Sequence, residues 1–186
     1  MSNQVKPIAT FGLDDDALVT FGPPVAGGVS FHDEGYLSVT QINGLTLGNK
    51  LGGGLFIQYA GNGVQAFNAQ GQPTTANYTS LDYKLEAYTG TASFARGAGG
   101  TPIETGAKDL VTLATGSLLN GELAFTPTGG VTGEIETTFN IGGRTFGQLD
   151  INVVHSASNL GQTSAGGLTI SGGFSTASIL PFQHFG

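Results

Sequence analysis

Along most of the chain, apolar and polar residues alternate one by one. In LDYKLEAY, Leu81, Tyr83, Leu85 and Ala87 fall on one side and Asp82, Lys84, Glu86 and Tyr88 on the other, the period of a strand with one buried face. GEIETTFNI sets Ile135, Thr137 and Phe139 against Glu134, Glu136 and Thr138, and QLDINVV sets Leu149, Ile151 and Val153 against Asp150 and Asn152. Similar patterning predicts strands at Tyr36–Ile42, Leu55–Ala60, Val64–Ala69, Ala92–Arg96, Leu110–Thr115, Gly121–Thr126 and Leu168–Phe174. Helical spacing is approached only in KDLVTLATGSLL, Lys108–Leu119, where Gly116 and the β-branched residues favour strands instead.

Turn residues punctuate these segments. Asn62-Gly63 and Asn120-Gly121 each carry the dipeptide of a tight hairpin, Gly90 offers a further turn, and FTPTGGVTG another. Gly22–Gly28, Asn43–Gly54 and Gly97–Lys108 read as loops. Short strands joined by glycine-rich turns indicate an all-β fold, an antiparallel β-sandwich or β-barrel in a single domain. Residues 1–28 are expected to form an N-terminal arm and a Pro/Gly-rich loop, and 29–186 the β domain. Ile8, Phe11, Leu18 and Phe21 would be the apolar contacts of that arm, covering a sheet edge or reaching a neighbouring molecule.

Composition narrows the partners. Of 186 residues only 10% are charged, and the six Lys plus Arg are dispersed within a net charge of −7. No basic stripe exists to neutralise phosphates, which excludes nucleic acid as the expected partner. No apolar run is long enough for a helical membrane span. Cysteine is absent, which removes thiolate chemistry and disulfides. An ion-poor surface of Thr, Ser, Asn, Gln and Gly suits an exported β protein, extracellular or at the cell surface, whose leader has been removed.

Three clusters invite chemistry. DDD at Asp14–Asp16 could offer two carboxylates, Asp14 and Asp16, to a calcium ion, although consecutive strand residues point opposite ways and a charged turn explains the run as well. Calcium is the one cofactor this suggests. In FHDEGY, His32 and Glu34 share a strand face, the minimum for an acid/base pair, while no third ligand stands at metal-site spacing from them. GNGVQA, Gly61–Ala66, fits a relaxed dinucleotide fingerprint but has strands on both flanks.

The succession GLFIQYAGNGVQAF, LDYKLEAYTGTASF and DLVTLATGSLLNGELAF (54–67, 81–94 and 109–125) resembles the flocculation-associated, PEP-CTERM-type exported proteins of floc-forming bacteria. That resemblance implies secretion, sorting by a C-terminal tail, and association with exopolysaccharide and cell aggregation. The terminal SILPFQHFG lacks the family's Pro-Glu-Pro tail, and no catalytic residues carry over.

The leading expectation is therefore a non-enzymatic structural or adhesive protein of a biofilm matrix or cell surface, acting by self-association, filament assembly or contact with exopolysaccharide. The alternatives are a β-barrel that binds a small apolar or carbohydrate ligand, and a barrel isomerase or cyclase using His32 and Glu34, or a carboxylate such as Glu86, as acid and base.

Overall fold

The computed structural model describes residues 10–47, 52–163 and 166–181. It contains ten strands: β1 (Thr10–Val25), β2 (Gly28–Ile42), β3 (Leu45–Thr46), β4 (Gly53–Phe67), β5 (Pro73–Arg96), β6 (Pro102–Phe125), β7 (Val131–Ile141), β8 (Arg144–His155), β9 (Leu160–Gln162) and β10 (Leu168–Pro181). Every pairing is antiparallel. The order β1-β10-β8-β7-β6-β5-β4-β2 returns to its start because β1 also pairs with β2. The short strands β3 and β9 lie off this ring, leaving eight staves of a closed barrel. Closure supplies every stave with two neighbours, which an open sheet cannot do at its edges.

Alternation sorts side chains into an interior and an outer wall. Leu81, Tyr83 and Leu85 of β5, Ile135, Thr137 and Phe139 of β7, and Leu149, Ile151 and Val153 of β8 are all buried, as their spacing predicts. Leu13 and Ala17 of β1, Leu37 and Val39 of β2, and Ile57 of β4 complete the same cluster. Glycines make room where an aromatic ring lies across the neighbouring strand. A Cβ on Gly63 would sit 2.3 Å from the Phe31 ring, and one on Gly116 would sit 1.9 Å from the Thr138 carbonyl and 2.3 Å from the Tyr83 ring.

The first strand is not an arm. Phe11 pairs with Ala177 of β10 and Ile42 of β2, and its side chain is buried in the core. Phe21 pairs with Phe31 of β2, and Leu18 pairs with Thr169 and Glu34, whereas Ile8 lies outside the described residues. The expected boundary at residue 28 falls just after the β1–β2 turn, where Gly27 has φ 91°. The segment reads as an arm because GPPVAGG looks like a linker, yet β1 runs on through both prolines to Val25.

Three expected turns are also strand interiors, Gly90 within β5 among them. Asn62-Gly63 lies within β4 and Asn120-Gly121 within β6. The Asn-Gly turn actually made is Asn43-Gly44, with φ 49° and 74°, between β2 and β3, where both central residues must take positive φ.

Strands β5 and β6 outrun the barrel. Past the irregular pairings at Leu85/Glu86, Ala87/Thr89 and Gly90/Ser93, their hairpin turns over the outer wall, where Phe94 packs on Tyr36 and Phe56 with ring centroids 5.5 and 5.4 Å apart. Arg96 fastens it: Nη1 donates to the Ala17 carbonyl at 3.0 Å and Nη2 lies 4.0 Å from Asp16.

The contact at Gly116 gives a direct check. Gly116→Ala forces a methyl into backbone and ring and should cost about 3 kcal/mol, the upper end of the usual overpacking range. Gly142→Ala meets open space in the β7–β8 turn and should cost about 1 kcal/mol for its positive φ. Chemical denaturation of the two variants should place Gly116→Ala clearly below Gly142→Ala.

Candidate functional site

Inside an apolar barrel each polar side chain has to be accounted for. Five of them meet. β1 alternates Leu13, Asp15, Ala17 inward, so the middle aspartate of the DDD run is 5% exposed within the core. β2 alternates Phe31, Asp33, Gly35, Leu37 with the same phase, and Asp33 is 3% exposed. The inward row of β8, continued one step beyond Val153, delivers His155, also 3% exposed. Tyr59 follows Ile57 on β4. Tyr78 is turned inward by the register shift at which Asn62 pairs with Ser80 and Gly63 with Tyr78.

These groups form one chain. His155 Nε2 lies 3.1 Å from Asp15 Oδ2. The Tyr59 hydroxyl stands between the two aspartates, 3.5 Å from Asp15 Oδ1 and 3.4 Å from Asp33 Oδ1. The Tyr78 hydroxyl donates a short hydrogen bond to the other oxygen of Asp33, and the Phe31 ring meets Tyr78 edge-on at 5.2 Å. Register helps to bring the first pair together: Asp15 is opposite Gly173 of β10, and the next residue, Phe174, is opposite Val154.

Burial governs the electrostatics. It pushes Asp33 up to about 7, an effect partly offset by the hydrogen bonds from Tyr78 and Tyr59 and reinforced by the nearby Asp15 carboxylate. Both tyrosines are raised well above their ordinary value, first by burial and then by the carboxylates beside them. They keep their protons near neutrality and act as donors. In the tautomer that gives Nε2–H to Asp15, Nδ1 carries the lone pair; this atom is buried without a protein partner among the described residues. Ser175 Oγ is likewise buried without a partner.

The network borders a cavity whose remaining lining is almost wholly apolar, including Leu37, Ile57, Leu81, Ile135 and Ile151. Its volume is about 70 Å³. It is a small chamber. His155, Asp15, Asp33, Tyr59, Tyr78 and Ser175 all face it.

The residues singled out from the sequence lie elsewhere. His32 and Glu34 do share a face, 3.8 Å apart, but it is the outer one, with side chains 46% and 42% exposed. Glu86 is buried on the far side of the wall, accepting a hydrogen bond from Thr112. Asp14 and Asp16 flank Asp15 on the outside. Asp16 faces Arg96, and among the described residues no group of three or more His, Cys, Asp or Glu gathers as a metal would require. A calcium ion at Asp14 and Asp16 would have to complete its six to eight oxygens from backbone carbonyls and water. Gly61–Ala66 is β4 strand, with no helix N-terminus to hold a pyrophosphate. The missed residues had a signal: Asp15, Asp33 and His155 each keep the parity of the apolar residues beside them.

Asp33 makes stability depend on pH in a definite direction. Below about pH 4 its carboxyl is protonated whether the chain is folded or not. Between pH 4 and 7 the unfolded chain loses that proton while the native state retains it, so stability falls as pH rises, and above 7 the loss is complete. Asp33→Asn removes this titration. Relative to wild type it should gain on the order of 3–4 kcal/mol between pH 4 and pH 8, read as a difference in melting temperature that widens by roughly 10 °C. A constant difference across that range would contradict the burial of an ionisable Asp33. No protein-family model, curated protein or solved structure matches this chain.

Proposed function

We propose that this protein is a small-molecule enzyme whose barrel holds a small apolar substrate and moves a proton within it, as an isomerase or cyclase does. The observation that carries the reading is the unbroken chain of proton-bearing side chains from His155 through Asp15, Tyr59 and Asp33 to Tyr78, set in an otherwise apolar chamber. Packing alone does not call for such a chain, because buried ionic groups can commonly be replaced by apolar ones without loss of stability. Strongly perturbed groups gathered in a cavity mark chemistry instead. An acid that titrates near 7 and an imidazole oriented by a carboxylate are the two halves of proton transfer at neutral pH.

A carrier that binds a similar molecule unchanged is the second reading, favoured by the apolar lining. Association with exopolysaccharide or with further copies, the role expected from composition, would fall to the outer wall and to the β5–β6 extension, because ring closure engages both edges of β1. An extracellular or cell-surface setting belongs to the same proposal, supported by the scarcity of ions and the absence of cysteine.

The test is incubation in D2O with a panel of small alkenes, epoxides and ketones, followed by mass spectrometry. A bound member of the panel should gain deuterium or change into an isomer. His155→Gln should slow that conversion on the order of 100-fold while leaving binding intact. Binding without conversion by the wild type would establish the carrier, and a chamber that takes up no panel member would overturn both readings.

A further inference from the structure

We propose that the oxygen-bearing end of the ligand is a carbonyl that can enolise, received between Asp33 and Tyr59, with His155 Nδ1 as the base that removes a proton from the adjacent carbon. This rests on the proton-transfer reading above and specifies its substrate class. The first support is the position of the Tyr59 hydroxyl. Its single proton faces two carboxylates at 3.4 and 3.5 Å, well beyond the roughly 2.7–2.8 Å of a settled O–H···O bond. Its bonds to both are long, so an arriving oxygen can compete for that proton.

The second support is the balance of donors and acceptors. Tyr78 and Tyr59 both direct their hydroxyls at Asp33. A neutral Asp33 then holds an O–H of its own, for which an acceptor oxygen on the ligand is the natural partner. A ligand carboxylate would instead meet two acidic groups, and among the described residues no Lys or Arg lines the chamber to receive it. A sugar would need many polar partners, and the rest of the lining is almost entirely apolar. A carbonyl needs just one polar end.

The third support is His155 Nδ1, a buried nitrogen with no protein partner among the described residues, on a residue that lines the chamber. The step balances without an added reactant. Nδ1 takes a proton from the carbon beside the carbonyl, that C–H pair becomes the new C=C bond, and the C=O π pair moves to oxygen, where Asp33 and Tyr59 donate. Where a C=C bond adjoins that carbon, return of the His155 proton to the far carbon of the resulting dienol, with re-formation of C=O, gives the conjugated isomer. A paired tyrosine and protonated aspartate as an oxyanion site is known chemistry in an unrelated ketosteroid isomerase; the placement of both against a His–Asp pair is what the present barrel adds.

The experiment compares four single-ring probes by calorimetry at pH 6: p-cresol as an enol mimic, toluene, benzylamine and benzoate. p-Cresol should bind about tenfold more tightly than toluene, the effect of one good hydrogen bond in a dry site. Tyr59→Phe and Asp33→Asn should erase that preference while toluene binding persists, which shows that the variants are folded. In D2O, NMR should show wild-type protein accelerating exchange of the α-protons of 2-cyclohexenone, and His155→Gln should not. Equal binding of p-cresol and toluene, or tighter binding of benzylamine or benzoate, would overturn the carbonyl assignment while leaving proton transfer on another substrate standing. Failure of every probe to bind would sink both.

Discussion

Closure of the ring through β1 is the constraint on which the rest depends. Because β1 is paired on both sides, every stave has one face toward a common interior, and the two-residue period of a strand becomes a rule about the whole molecule. A polar residue that shares the parity of the core has no exit to water. It must find partners among the other polar residues in the same position, which is why aspartates from β1 and β2, tyrosines from β4 and β5 and a histidine from β8 converge. The outer wall bears no such demand, and His32 and Glu34 remain half-exposed there at 3.8 Å.

Burial of this network works against the fold. Taking a carboxyl out of water disfavours its charged form, and the response is visible in the raised Asp33 and in two tyrosines that hold their protons. The surrounding staves compensate with well-packed aliphatic side chains such as Leu13, Ile57 and Leu149, all fully buried. Glycines at Gly63 and Gly116 admit rings that a side chain there would expel. Stability thus resides mainly in the aliphatic layers, while the polar chain draws on it to hold groups in states that water would not allow.

The strands and the class of fold are legible from alternation alone, and the same alternation carries the inner identity of Asp15, Asp33 and His155. It is easy to pass over because charge draws the eye to runs. DDD and HDE look like surface clusters, yet in each the middle residue is the one that faces in. Tyr78 is different in kind: a register shift beside Thr79 breaks the parity between Ala76 and Leu81, and no local pattern announces it. The Asn-Gly dipeptides mislead for a related reason. Gly63 lies under the Phe31 ring, and that demand for space looks the same in sequence as a demand for positive φ. Ring closure itself is a contact between the first and last long strands, invisible to any window of neighbouring residues.

The strap made by the β5–β6 extension bears on how such a ring is built as the chain leaves the ribosome. β1 emerges first and can zip to β2 at once, but its other flank has no mate until residues 168–181 have been made. Over that interval the flank is an unpaired template for stray chains. Arg96, which grips Ala17 from across the outer wall, is made well before residues 168–181. The nascent sheet therefore gains a clasp on its first strand long before its last one arrives.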